Sequence, residues 1–334
     1  MNIESTKTNF FGIDLTRVIM AIAVVIIHSA YYSSNRVSLS NSLFSSFLDF
    51  AVPFFFIASG FFLSRKLNSD KKAKTAILWD FFKKNLKMYI IWTIIYLPLS
   101  IYGLYIEDNL NFYGASIFIK NTLIKGENYY SWPLWYLLSV VFSAAIFLIW
   151  NRLNWGKISL LTFAFIVFLL HIYLFRYFIE TIDINILQFA YNNSFASSRI
   201  LYGLLFLTLG MLGSKFFDII NLYAGSIGFA ICVYLNTLDN VFLTEFAVVV
   251  GSVFLFSVVK RIVYTNNELS AKMRKFSAVT FFSHMYFYFL YRQFFQNLSD
   301  NGLMEVVFTV LMSLILTIIV LKTENSFKFF KVIF

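Results

Sequence analysis

Asp14, Arg17 and His28 stand within one largely apolar stretch, GIDLTRVIMAIAVVIIHS. Histidine, with an ordinary pKa near 6.5, is the side chain best suited to accept and return a proton at neutral pH. In a helix the eleven-residue step from Arg17 to His28 returns to within about 20° of the same direction, and Asp14 sits about one turn before Arg17. All three then line one stripe, with Arg17 and His28 roughly 16 Å apart along the axis. They cannot touch, but one bound molecule can bridge them. Asp14 and Arg17 also suit an i, i+3 ion pair that snorkels to water, and His28 also suits a helix-packing role.

The element that carries these residues belongs in a bilayer. Of 334 residues, 59% are hydrophobic, 21% aromatic and 13% charged, against about 25% charged in a soluble globular protein. A spanning helix needs roughly 20 largely apolar residues. Ten stretches of that kind fall near 12–33, 44–63, 89–106, 133–150, 158–175, 195–213, 219–235, 241–259, 277–296 and 303–321. Membrane-crossing barrel strands are shorter, with apolar and polar residues alternating, so long unbroken runs such as Ile158 to Phe175 read as helices. The expectation is an all-α, polytopic helical bundle forming a single membrane domain over 1–334. The first span is longer than a signal-peptide core and carries Asp14 and Arg17, so it is expected to be retained.

Most of the 27 Lys and Arg residues fall in alternate connections, above all between Arg65 and Lys87 and between Lys260 and Lys275. The opposite loops hold only Arg36, Lys120, Lys125 and Arg176. Basic loops stay cytoplasmic, so both termini are expected inside. That pattern accounts for the net charge of +10 without a nucleic-acid partner. The stretch Ile77 to Met88 alternates apolar residues with lysine and suits a helix lying along the inner surface. The single Cys232 rules out a disulfide framework and a cysteine metal site.

Ionisable side chains in hydrocarbon cost on the order of 3 kcal/mol each and mark functional sites or buried pairs. Asp49, His171, Arg199, Glu245, Arg292 and Glu305 gather toward the outer half of their spans, and a shared polar vestibule is expected there. His284 is expected at a different level, nearer the inner face. With three histidines at unmatched depths and no HExxH, no catalytic metal is expected. GxSxG, P-loop and GxGxxG patterns are also missing from the sequence.

The first span, with its Asp, its Arg and a His eleven positions later, resembles the hallmark of the acyltransferase 3 family of membrane O-acyltransferases. VPFFFIASGFFLSRK, from Val52 to Lys66, looks like that family's second-span motif, and WPLWYLLSV, from Trp132 to Val140, is similar to its Trp-Tyr-Leu at the outer start of a later span. The wording is especially similar to the membrane half of vancomycin-resistance serine racemases. Those proteins carry a soluble racemase domain afterwards; this sequence runs to Phe334 after a short basic tail, and no racemase site is expected in it. Two departures stand out. Lys83, Lys84 and Lys87 precede the third span where members often have Arg and a Pro, and SHMYFYFLYR replaces Tyr-Leu-x-His near the penultimate span.

The resemblance implies transfer of an acyl group, usually acetyl from cytosolic acetyl-CoA, to a hydroxyl on an extracytoplasmic glycan or lipid-linked sugar at a bacterial plasma membrane. It makes His28 the general base, or else a transient acyl carrier. Arg17 would bind phosphate or polarise the thioester, with Asp14 orienting it. Arg65 and Lys66 would contact the CoA phosphates. Ser59 and Gly60 would let helices pack closely or leave room for a pantetheine channel. Trp135 and Tyr136 would form the acceptor platform, although an interfacial aromatic belt explains them equally well. The principal alternative is a transporter of a small amino acid or lipid-linked sugar, because buried charge among many helices also builds substrate pathways.

Overall fold

The structure is a computed structural model describing residues 10–29, 42–70, 72–173, 199–213, 216–238, 240–264, 267–295, 302–327 and 330. Arg36 and Arg176, two of the cations expected in outer loops, lie outside the described residues.

The described chain is helical throughout its regular structure, with no strand among the described residues. Its α-helices are α1 (Phe11–His28), α2 (Leu43–Leu48), α3 (Ala51–Ser69), α4 (Lys74–Ile106), α5 (Phe112–Lys120), α6 (Leu134–Arg152), α7 (Lys157–Ile172), α8 (Tyr202–Leu212), α9 (Phe216–Ile219), α10 (Leu222–Leu235), α11 (Val241–Lys260), α12 (Asn267–Phe295) and α13 (Leu303–Thr323). The protein is an all-α, polytopic helical membrane protein.

Among the described residues, six segments are long and apolar enough to cross a membrane: α1, α2 with α3, α4, α6, α11 and α13. Three further apolar helices, α7, α8 and α10, have 16, 11 and 14 residues, below the roughly 20 that bilayer hydrocarbon requires. The expected segment 277–296 lies on α12 as far as Phe295, and His284, Arg292 and several Ser and Tyr residues lower its hydropathy.

Polar side chains start several helices. Asn221 accepts from the Ala224 backbone N–H at 2.8 Å and Asn240 from Leu243 at 3.0 Å, satisfying N–H groups that a helix start leaves orphaned. Apolar side chains then divide between protein and lipid. On α13, Leu311, Leu314, Ile315, Ile318 and Ile319 are each about half exposed, as a lipid-facing stripe requires, while Glu305, Thr309, Ser313 and Thr317 are buried.

The basic stretch Ile77 to Met88 is not a separate helix. It forms early turns of the 33-residue α4 and continues into the third span. No Gly or Pro interrupts it before Pro98, so the backbone ladder has no reason to break.

Helix α1 sits at the centre, packed against α3, α11 and α12. Its neighbour α3 lies very close to α8. A Cβ on Gly60 would overlap the Leu207 carbonyl oxygen, and one on Gly210 would overlap that of Ile57. The two glycines therefore let the α3 and α8 backbones touch.

Candidate active site: two cavities along the first helix

A cavity of about 540 Å³ opens beside the start of α1. Asp14 and Arg17 meet Ser59 and Lys66 of α3, Asp80, Lys84 and Asn85 of α4, and Arg274 of α12 there, over Phe10, Phe62 and Phe81. Asp14 is almost completely buried and takes two guanidinium contacts: Arg274 Nη1 at 2.5 Å from Oδ2, and Arg17 Nη1 at 3.4 Å from Oδ1. The Arg17 guanidinium also lies 4.9 Å from the centre of the Phe62 ring. The cavity thus concentrates cationic donors around one pinned carboxylate, an arrangement suited to a polyanion.

The far end of α1 opens on a second cavity of about 360 Å³. His28 lines it with Asp49, Trp135, His171, Arg199, Tyr202 and Glu245. Asn236 Nδ2 donates to Asp49 Oδ2 at 2.8 Å, the Tyr202 hydroxyl donates to Glu245 Oε2 at 3.3 Å, and the Arg199 guanidinium lies 5.5 Å from the Trp135 ring centre. Aromatic surface beside oriented hydrogen-bonding groups can hold a hydroxyl-bearing molecule.

The structure distributes the expected site residues unequally. Asp14, Arg17, Ser59 and Lys66 share the first cavity, and His28 and Trp135 share the second. Gly60 faces α8, leaving its role to helix packing. Arg65 does not line the cavity; its guanidinium lies 4.5 Å from the Phe10 ring centre. Tyr136 leaves the expected platform altogether. Its hydroxyl lies 2.8 Å from Ser59 Oγ, with its ring among Phe55, Phe56 and Phe281. Consecutive helical residues point about 100° apart; both rings pack on Phe56, but of the two only Trp135 lines the second cavity.

Of the charges expected in a common vestibule, Asp49, His171, Arg199 and Glu245 do meet, but Arg292 does not join them. Its Nη1 donates to the Tyr288 hydroxyl at 2.9 Å. Glu305 also lies outside the cavity lining, at the buried start of α13.

His284 corrects the expectation directly. Instead of lying at another level, it stacks on His28, with ring centroids 5.4 Å apart and planes 23° from parallel. The depth was counted from residue 277, but α12 starts at Asn267 and runs in the same direction as α1, its Arg274 near Asp14 and its His284 near His28. Trp132 also stacks on His28, at 5.5 Å and 29°. No group of three or more His, Cys, Asp or Glu side chains able to hold a metal occurs among the described residues.

The sequence did not mark Arg274, Lys84 or Trp132 as site residues. Arg274 and Lys84 read as ordinary cytoplasmic cations and Trp132 as part of a motif. Only packing between distant helices gives them a place.

The profile of the acyltransferase 3 family, described as an acyltransferase domain, matches residues 10–322, nearly the whole sequence. The chain belongs to the acyltransferase 3 family. It is an enzyme of that class, a multi-pass membrane acyltransferase.

Two relatives match part of the chain. An amino-acid racemase of Enterococcus faecalis is 33% identical over 140 residues, covering 41% of this chain and 18% of that protein. A serine/alanine racemase of Enterococcus gallinarum is 30% identical over 126 residues, covering 36% and 17%. The matched part of this acyltransferase 3 protein therefore spans under a fifth of either relative. No solved structure matches the chain.

Proposed function

We propose that this acyltransferase, acting as one membrane domain, moves an acyl group, acetyl in the first instance, from cytosolic acyl-CoA to a hydroxyl of an extracytoplasmic or lipid-linked glycan. A bacterial plasma membrane and a role in O-acetylation of cell-envelope polysaccharide fit this reading, as does the Enterococcus origin of both relatives. The observation that carries it is the pairing of two chemically distinct cavities at the two ends of α1, one cationic at Arg17 and one polar and aromatic at His28.

Each cavity suits one substrate. The phosphates of acyl-CoA fit Arg17, Lys66, Lys84 and Arg274, with Asp14 holding two of those guanidiniums in register. The separation of roughly 16 Å between Arg17 and His28 favours a phosphate role for Arg17 over contact with the reacting carbonyl. The thioester arm would then run past the Ser59–Tyr136 pair toward His28. A glycan hydroxyl would lie against Trp135 in the second cavity, among Arg199, Glu245 and Asp49.

The chemistry at His28 balances simply. The imidazole takes the hydroxyl proton as the oxygen attacks the thioester carbon; the new C–O ester bond forms, the C–S bond breaks, and the proton passes to the departing thiolate. A hydroxyl is a poor nucleophile without such a base.

Purified protein in detergent, supplied with acetyl-CoA and candidate glycans, should release CoA thiol and form ester. His28→Ala should abolish both while retaining wild-type expression and membrane insertion. Full activity in that variant would remove His28 from the chemistry.

A further inference from the structure

His284 is 1% exposed, and its Nδ1 lies 3.1 Å from the Thr280 carbonyl oxygen and 2.9 Å from that of Phe281. Carbonyl oxygens only accept, so Nδ1 carries the proton and Nε2 the lone pair. That Nε2 is buried and has no hydrogen-bond partner among the described residues. Buried acceptors are seldom left so, because an unmade hydrogen bond in a dry interior is costly. The neighbour is His28, whose ring is stacked on that of His284.

We infer that His284 is the positioning partner of His28: its Nε2 lone pair receives one N–H of the His28 ring while the other His28 nitrogen handles the acceptor's proton. This rests on the reading of His28 as the base. The logic is that of a base oriented by a third group, with a neutral imidazole of fixed tautomer in place of a carboxylate. No proton is transferred to His284, whose own N–H stays on the helix carbonyls. The ring centroids lie 5.4 Å apart with planes 23° from parallel. The inferred hydrogen bond requires the His28 ring to turn out of this stack about its soft χ2 torsion so that an N–H meets the in-plane lone pair of Nε2. Trp132, against the His28 ring as well, limits how far it can wander.

A carboxylate in this position would be a second buried charge beside His28. A neutral acceptor fixes the tautomer of His28 and stabilises the imidazolium at lower desolvation cost. Arg199, His171, Asp49 and Glu245 line the same cavity as His28 and are left unchanged in the test.

His284→Phe keeps a ring against His28 but removes the acceptor. His284→Gln supplies an amide oxygen near the position of Nε2 but removes the ring. Thiol release from acetyl-CoA, with methyl glucoside as hydroxyl probe, should show kcat reduced roughly tenfold in His284→Phe with both KM values unchanged, and largely recovered in His284→Gln. Nitrogen-15 spectra of histidine-labelled wild-type protein, which has three histidines, should show His284 protonated at Nδ1. An Nε2–H tautomer would overturn the inference without any variant. Wild-type kcat in His284→Phe, or no recovery in His284→Gln, would also overturn it. Activity retained in His28→Ala would instead break the reading of His28 beneath it.

Discussion

Arg274 and Asp14, 260 residues apart in the chain, meet with Nη1 2.5 Å from Oδ2. The contact ties the start of α1 to α12 at the cationic cavity, as the His28–His284 stack ties the same two helices at the other. Both ends of the site therefore depend on one parallel helix pair.

Arg274→Gln should raise the KM for acyl-CoA about tenfold while leaving that for the glycan unchanged. The variant removes a cation from the cavity and leaves Asp14 to Arg17 alone. Arg274→Lys should recover only part of the loss, because lysine lacks the planar fork. Unchanged donor KM in Arg274→Gln would reduce the contact to a structural brace.

Lys66 and Lys84 line the cationic cavity, whereas Arg65 lies on Phe10. Neutralising either lysine should weaken acyl-CoA roughly tenfold at low salt, with a smaller effect at high salt as screening sets in. Arg65→Gln should change donor KM less than twofold. A larger effect at Arg65 than at Lys66 would place the donor elsewhere.

Gly60→Ala should fail through packing. The added Cβ would meet the Leu207 backbone oxygen, which cannot swing aside as a side-chain tip can, and overpacking costs about 1–3 kcal/mol or more. Ser59→Ala removes only the hydroxyl facing Tyr136. Size-exclusion profiles in detergent should show aggregation or lost yield for the first and a normal peak for the second. A normal profile for Gly60→Ala would mean α3 and α8 can separate freely.

The helices and the polar stripe of α1 were legible in the sequence because both are local. A run of apolar residues forces helical backbone in lipid, and the step from Arg17 to His28 returns to one face whatever surrounds it. The pairings were not legible. Nothing near Asp14 names Arg274, and nothing near His28 names His284 or Trp132, since each depends on which helices pack and in what register. Tyr136, expected beside Trp135 on the acceptor platform, instead meets Ser59 of α3, and that contact too depends on which helices pack.

Glu127 gives a pH-dependent check outside the spans. Burial raises its carboxyl above the ordinary range, while Arg199 and Lys125 oppose the shift. A carboxyl whose folded pKa is raised contributes stability below its unfolded value and loses it as pH rises through the folded one. The wild type should therefore lose apparent thermal stability from acid toward neutral pH relative to Glu127→Gln, which carries no such charge. Parallel curves for the two proteins would show that Glu127 is not held in its neutral form.

Sidedness tests the two-cavity account most directly. In sealed vesicles of known orientation, labelled acetyl-CoA should support transfer only from the face bearing the basic connections around Lys66 and Lys84. The labelled ester should appear on glycan at the opposite face, with one CoA released per ester formed. Use of both substrates from a single face, or passage of glycan unmodified with no CoA released, would contradict it.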